Sequence, residues 1–371
     1  MSGIYALPTG ANFTADLARG VQERLAEAPP EEMARIEGAI NTSRAARALT
    51  EAFETGPAVF LPRITTFERF VDDPLAAVPP AIDGLERRLT LTRLIKVMLE
   101  RDPSLGAPSA AGALADTLAR LLDEMHAARA PLSSLENAVT EEGMAKHWDT
   151  SLRFLEVIRA TWPAHLEEQG KLDQEARFAA LADDRIAALT AAPPEGMVIA
   201  AGSTGSKRVT QDLLVAIAGL PNGVVVLPGF DFALDAAGWR AATPEHPQFG
   251  YKQLLDRLDL SPADVRPWVG EAAPGPRARL FAETLRPAPV THHWLAALPA
   301  LRRDAPEATA GLSLIEAPSP RREAEAIALI LRDALERLEV RVARVAADRY
   351  LGRRVAAMLD AMIISEVTAV I

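Results

Sequence analysis

The first residues that could perform chemistry form a short loop near the start of the chain. Apolar, β-prone residues 4–7 lead into it, and a helix-like segment with Leu17 and Val21 on one face follows it. A strand, a glycine turn and a helix in this order build phosphate-binding loops, because a helix N-terminus offers free N–H groups and a positive dipole end to an anion. The loop consists of Pro8, Thr9, Gly10, Ala11 and Asn12.

A Walker-type loop also needs a lysine that reaches the β- and γ-phosphates and a hydroxyl that binds Mg²⁺. Here Asn12 and Phe13 stand near the place of the Gly-Lys pair, with Thr14 just after. Without the lysine, several kcal/mol of charge stabilisation on a polyphosphate are missing. The pattern favours an unliganded strand, turn and helix over a weak anion or nucleotide site, so we predict no cofactor here and interpret residues 8–12 as a vestigial phosphate loop.

A second glycine-containing turn, AAGSTGSKRVT, covers residues 200–210 and does contain a lysine. Its spacing does not match that of a Walker-type loop, since Lys207 follows a serine and Arg208 stands where Ser or Thr is needed. The strand ahead of it ends in Gly202, Ser203 and Thr204, with no carboxylate to hold Mg²⁺ or orient water. A plain turn between strand and helix is the favoured interpretation, and an anion site at the start of the helix is the alternative. We predict no catalytic residue.

Composition excludes several classes of site. The 371 residues include no cysteine, which excludes disulfides, thiolate metal sites and cysteine nucleophiles from this chain. The six histidines form no ligand spacing, so no metal site is predicted. The formal charge of −10 means that any nucleic-acid contact must come from local basic patches. No signal-peptide pattern and no long apolar run is present, which favours the cytoplasm and argues against a membrane partner.

Hydrophobic periodicity predicts an α/β fold with a parallel sheet and crossover helices. Strands are predicted at 34–40, at AVFLP (58–62), at 196–202 and at 223–229, and a helix is predicted over 41–53. Between the second and third of these strands, apolar residues repeat every three and four positions, which is typical of helices. A further strand is predicted from Leu312 to Glu316, before a long helix.

These patterns divide the chain into five segments. Residues 1–84 are predicted to be the first part of an α/β lobe, 85–195 a helical insertion, and 196–230 the return to the lobe. Residues 231–310 are predicted to be a mixed helix and loop insertion, and residues 311–371 the start of a second lobe.

Several blocks, taken as an ordered set, resemble the AddB family, in the form typical of alphaproteobacteria. They are NTSRAARALTEAF, FLPRITTFERF, VIAAGSTGSKRVTQDLLVAIAGLPNGVVVLPGFD, HPQFGYKQLLDRL, LIEAPSPRREAEAIALILRDAL and VAADRYLGRRVA. AddB is the partner of AddA in the AddAB helicase-nuclease that processes DNA double-strand breaks for homologous recombination. The resemblance implies a degenerate lobe of the UvrD-like superfamily 1 helicase fold, with residues 8–12 at the Walker A position and VIAAGSTGS at the Walker B position.

The resemblance also implies a DNA-contacting edge. The segments INTSRAARAL and RITTFERF look like the strand ends that touch single-stranded DNA in such helicases, and the C-terminal RVARVAADRYLGRRV is rich in arginine. The candidate DNA contacts are Asn41, Thr42, Arg44, Arg47, Thr65, Thr66, Arg344, Arg349 and Arg353.

In the family, AddA uses ATP and Mg²⁺ for translocation, and AddB continues into a nuclease with an iron–sulfur cluster held by four cysteines. Because this chain contains no cysteine and ends soon after YLGRRVAAML, we expect a truncated AddB-like subunit without nuclease or cluster. Its expected partners are an AddA-type subunit and double- or single-stranded DNA ends. The alternative is a Rossmann-like protein that binds a small molecule or nucleotide at the Gly202–Lys207 turn.

Overall fold

The computed structural model describes residues 3–54, 60–131, 133–134, 145–271 and 274–336 of the chain. It consists of two compact units, Met1–Ala308 and Thr309–Ile371. The described part of the second unit contains one helix, α14, after a stretch without regular structure.

The first unit is an α/β structure. Its strands are β1 Gly3–Pro8, β2 Glu37–Ile40, β3 Arg63–Thr66, β4 Val198–Ala201, β5 Gly223–Phe230 and β6 Arg266–Pro267. The helices of the described ranges are α1 Phe13–Arg24, α2 Glu31–Ala34, α3 Ser43–Glu54, α4 Phe67–Val71, α5 Gly84–Arg101, α6 Ala111–Ala128, α7 Ala145–Glu168, α8 Gln174–Ala191, α9 Arg208–Ala218, α10 Ala236–Ala241, α11 Phe249–Arg257, α12 Pro276–Thr284, α13 Trp294–Ala308 and α14 Pro320–Glu336.

The six strands form one parallel sheet in the order β3-β2-β4-β5-β1-β6. All strands therefore end at the same edge of the sheet. In the central register, Ile40 pairs with Thr66 of β3 on one side and with Ala201 of β4 on the other. The predicted parallel sheet with crossover helices is confirmed in this respect.

Helices cover both faces of the sheet. Neighbouring residues of a strand point to opposite faces, so each strand contributes side chains to two apolar cores. Tyr5 and Leu7 of β1 belong to the apolar core under α1 and α3. Ile4 and Ala6 belong to the core under α4, α8, α9 and α11. Strands buried on both faces read as continuous apolar runs, as VVVL in β5 does.

Helices α5, α6 and α7 share a separate apolar core with Leu91 and Ile95 at its centre. Side chains of these helices contact Asp173, a buried carboxylate that lies just before α8. Arg87 of α5 lies 2.8 Å from Asp173, and Nε1 of Trp162 donates to it over 2.9 Å. Burial alone would raise the pKa of Asp173, but the contact with His126 and the charge of Arg87 hold it below its usual value.

Two strand predictions are wrong in position or existence. The second strand begins at Arg63 and not within AVFLP, because Pro62 has no N–H for the ladder, whereas Arg63 donates to Ile36 O over 3.0 Å. Residues 58 and 59 lie outside the described residues. Leu312 to Glu316 is not a strand; it pairs with no strand in the described part of the chain, and its apolar side chains are exposed.

The first predicted strand is also shorter than expected. Residues 31–34 form the short helix α2, and β2 starts only at Glu37. The helical segment predicted between β3 and β4 contains α5, α6, α7 and α8, the crossover helix between β4 and β5 is α9, and the long helix after residue 316 is α14. Among the residues that the structure describes, no helix combines the length and the apolar character needed to cross a membrane.

A stability prediction follows from the packing of Trp268 on α1. A Cβ atom on Gly20 would lie 2.2 Å from Nε1 of Trp268, and that nitrogen donates to Leu17 O over 3.1 Å. We expect Gly20→Ala to lower the free energy of unfolding by about 1–3 kcal/mol, the usual cost of overpacking. Urea unfolding followed by tryptophan fluorescence measures it.

Gly112→Ala on α6 is the matched control, since a Cβ atom there meets no atom within 4 Å. It should leave stability unchanged or raise it by up to about 1 kcal/mol. Equal destabilisation by the two substitutions would contradict the described packing of α1 against Trp268.

Candidate nucleic-acid interface

The strand order creates a crevice at the carboxyl edge of the sheet. From β2 the chain crosses towards β3, whereas from β4 it crosses towards β5, in the opposite direction. Ligands of open α/β sheets bind where neighbouring connections diverge in this way. A cavity of about 340 Å³ lies there, lined by Asn41, Phe67, Glu68, Gln174, Glu175, Phe178, Gly202, Ser203, Thr204, Ser206, Lys207 and Thr210.

The end of β2 presents Asn41 and Thr42, both exposed. Thr42 Oγ1 accepts a hydrogen bond from Ala45 N over 3.1 Å, so this hydroxyl caps the first turn of α3. Asn41 turns towards the neighbouring strand, and a Cβ atom on Gly202 would lie 3.1 Å from its Oδ1. The amide of Asn41 therefore borders the crevice, while Thr42 Oγ1 has a structural role.

The two threonines at the end of β3 are half-buried and already bonded within the fold. Thr65 Oγ1 donates to Gly38 O over 3.4 Å, and Thr66 Oγ1 accepts from Arg69 N over 3.4 Å as the cap of α4. Because Thr66 pairs with Ile40, the ends of β2 and β3 lie side by side. The structure thus brings Asn41, Thr42 and the predicted threonines to one edge.

Arg44 and Arg47 lie in the first turns of α3, three residues apart on one exposed side. Neither has an ion pair or a hydrogen bond to a side chain in the described part of the chain. Arg63 and Arg185 contrast with them, since both are held by Glu37. Two guanidinium groups next to the strand ends are therefore available to an external anion.

The β1–α1 loop, residues 8–12, is held by contacts within the protein. Thr9 Oγ1 donates to Gly229 O over 3.3 Å, and a Cβ atom on Gly202 would lie 3.3 Å from Cε1 of Phe13. Asp16 brings a carboxylate into the first turn of α1 and pairs with Arg19 at 2.6 Å. An apolar ring and a negative charge at this place do not fit a nucleoside triphosphate.

The Gly202–Lys207 turn is a rigid connection between β4 and α9. Gly202 and Gly205 have φ values of +77° and +65°, which favour glycine, and Ser203 Oγ accepts from Gly205 N over 3.1 Å. Gln211 Nε2 donates to Gly205 O over 2.7 Å from inside α9. The ammonium of Lys207 lies 2.8 Å from a carboxylate oxygen of Glu175, so its charge is neutralised by α8.

The end of β5 carries an acid, Asp231, that the sequence patterns do not single out as a site. Burial raises its pKa, although Ala233 N and Leu234 N donate to the carboxylate and oppose that shift. Gln248 and Tyr251 of the α11 region bond the neighbouring carbonyl groups of Gly229 and Pro228. The carboxylate of Asp231 therefore stabilises a turn.

Three of the predicted DNA contacts fall outside the described residues, and several residues that line the crevice were not predicted. Arg344, Arg349 and Arg353 lie outside the described residues. Glu68, Gln174, Glu175 and Phe178 line the crevice although no motif contains them together. Lys207 and Glu175 are 32 residues apart in the chain, and only the packing of α8 beside α9 brings them together. No sequence pattern signals that pair.

Within the described ranges, no three His, Asp or Glu side chains are grouped as a metal site requires. No protein-family model matches the chain, and no curated protein matches it. The fold and the geometry of the carboxyl edge are therefore the observations on which a functional proposal depends.

Thr42 offers a test that separates capping from ligand contact. Thr42→Ala removes the acceptor of Ala45 N, so the free energy of unfolding should fall by about 1 kcal/mol. Thr42→Ser keeps the hydroxyl and should retain stability within a few tenths of a kcal/mol. Chemical denaturation of both variants checks this, and equal losses in the two would show that Thr42 Oγ1 does not cap α3.

Proposed function

We propose that this chain is a helicase-like, non-hydrolysing subunit of the AddB type that binds DNA ends in double-strand break processing and homologous recombination. In this proposal the first unit is a degenerate UvrD-like lobe, the second unit begins the other lobe, and the protein acts in the cytoplasm. DNA runs across the carboxyl ends of β2 and β3. An AddA-type subunit supplies ATP-driven translocation.

The observation that carries the proposal is the pair of uncompensated cations beside the strand ends. Arg44 and Arg47 are exposed and have no ion-pair partner in the described ranges, in a chain whose formal charge is −10. Guanidinium groups bind phosphate oxygens in a fixed, bidentate geometry, and phosphate contacts supply most of the affinity of sequence-independent DNA binding. Asn41 next to them adds an amide that hydrogen-bonds either bases or sugars.

The lack of a motor in this chain is supported by the β1–α1 loop. Phe13 stands near the place of the Walker lysine in the sequence, and Asp16 adds a carboxylate to the first turn of α1. β4 ends without a carboxylate, and Asp231 after β5 is engaged in its own turn. Energy for movement along DNA must then come from a partner, which is why we include an AddA-type subunit in the proposal.

The Rossmann-like alternative is less well supported. In dinucleotide-binding Rossmann folds the first strand lies between the second and the fourth, in the order 3-2-1-4-5-6. Here β1 lies between β5 and β6. The glycine-containing turn after β4 also offers a lysine that is already paired with Glu175. We therefore favour DNA over a dinucleotide as the ligand of the carboxyl edge.

The test of DNA binding is the double variant Arg44→Ala/Arg47→Ala. Fluorescence anisotropy with a labelled single strand and with a duplex carrying a single-stranded end measures affinity over a range of salt concentrations. Each lost phosphate contact lowers the salt slope by about 0.7 for single strands, so we expect a decrease of about 1.4 together with weaker binding.

Arg93→Ala/Arg101→Ala is the matched control. Both residues are exposed on α5, and neither has an ion pair in the described part of the chain, so the change in net charge is identical. The control should keep the salt slope of the wild type. An equal loss in both double variants would mean that total charge, and not the β2–α3 edge, governs binding.

The second test concerns the motor. The purified chain should show no Mg²⁺-dependent ATP hydrolysis, with or without DNA. Co-expression with an AddA-type subunit should give a co-purifying complex that hydrolyses ATP when DNA is added. Hydrolysis by the chain alone that disappears on substitution within residues 8–12 would contradict the proposal.

A further inference from the structure

We propose that Lys207 is a phosphate-binding side chain that Glu175 masks in the free protein, so that ligand binding exchanges one anionic partner of the ammonium for another. This inference rests on the proposed DNA-binding function of the carboxyl edge. It adds a DNA contact outside the β2 and β3 segments, and it implies that the ion pair with Glu175 lowers the affinity for DNA.

The geometry places Lys207 in the same cavity as the predicted edge. Asn41 from β2 and Lys207 from the β4–α9 connection both line it, and between them stand the hydroxyl-bearing residues Ser203, Thr204 and Ser206. Hydroxyl and amide groups beside an ammonium are the donors that a phosphate oxygen requires. The cavity is therefore chemically continuous with the DNA-contacting edge.

The pair with Glu175 is weak enough to exchange. The Lys207 side chain is 52% exposed and that of Glu175 is 24% exposed, while Nζ and Oε1 lie 2.8 Å apart. Exposed ion pairs of this kind shift an equilibrium only about 2- to 5-fold, because water screens both charges. A phosphate that also gains hydrogen bonds from neighbouring hydroxyls can replace the carboxylate.

The charges that line the cavity explain why the ion pair between Lys207 and Glu175 disfavours phosphate binding. Its charged residues are Lys207, Glu175 and Glu68, so one ammonium faces two carboxylates. Glu68 has no ion pair in the described ranges, and Glu175 is bound to the lysine. A phosphate is disfavoured while Glu175 holds Lys207, and removal of that one carboxylate should both free a cation and reduce repulsion.

The experiment is an isosteric substitution that removes the charge of the masking residue, Glu175→Gln, measured by anisotropy with a labelled oligonucleotide. Affinity should rise about 2- to 5-fold. The salt slope should stay that of the wild type, because Lys207 neutralises one phosphate in both complexes, whereas Lys207→Ala should lower the slope by about 0.7. Lys207→Ala should weaken binding, and Glu175→Gln should give no gain in the Lys207→Ala background.

Glu68→Gln is the matched control, since it removes an equal charge from the same cavity without releasing Lys207. Any gain in affinity from Glu68→Gln should persist in the Lys207→Ala background, because Glu68 does not hold Lys207. Thermal unfolding of every variant checks that the fold is retained. A gain from Glu175→Gln that persists in the Lys207→Ala background, or an unchanged salt slope in Lys207→Ala, would overturn the inference.

Free phosphate compounds distinguish the source of the phosphate. At constant ionic strength, orthophosphate and AMP should weaken oligonucleotide binding by Glu175→Gln more than by Glu175→Gln/Lys207→Ala. Calorimetric binding of AMP that depends on Lys207, with unchanged oligonucleotide binding, would overturn the assignment to DNA. Absence of oligonucleotide binding in all variants would instead overturn the proposed function.

Discussion

The parallel register of β2 between β3 and β4 is the constraint on which the rest of the structure depends. Because all three strands run in one direction and Ile40 pairs with both Thr66 and Ala201, three loops leave the sheet at the same level. A shift by one residue would exchange Ala39 and Ile40 between the two apolar cores on opposite faces of the sheet. The position of Asn41 beside Gly202 follows from this register.

Electrostatics then divides the carboxyl edge into two parts of different character. On the β1 side, Thr9 donates a hydrogen bond to Gly229 O, and the ring of Phe13 lies beside Gly202. Asp16 adds a negative charge at the start of α1. On the β2 side, Arg44 and Arg47 remain uncompensated in the described ranges. A nucleotide needs its strongest cation at a single point, whereas a DNA backbone requires only spaced cations along a path. The distribution observed here fits the second requirement.

Sequence patterns predict much of this fold and only part of the site. The βα alternation, the helical segment between β3 and β4 and the missing charges of the phosphate loop are local properties, and periodicity or spacing reveals them. The start of β3 depends on a missing N–H at Pro62, and Leu312 to Glu316 lacks a partner strand in the described residues. Whether an apolar run becomes a strand is a question about its neighbours, which a linear pattern does not contain.

The pairing of Lys207 with Glu175 shows the same limit at the level of chemistry. In the sequence, the lysine follows a glycine-containing turn and suggests an anion site. Its counter-ion in the structure is Glu175, which lies on α8, 32 residues earlier in the chain. Arg44 and Arg47 are in the opposite situation, because no carboxylate in the described part of the chain forms an ion pair with either of them. Packing thus decides which cations keep a counter-ion. Arg93 and Arg101 of α5 also have no ion pair in the described ranges, so it is the position of Arg44 and Arg47 beside the strand ends, and not the missing counter-ion alone, that makes them the candidate contacts for a polyanionic ligand.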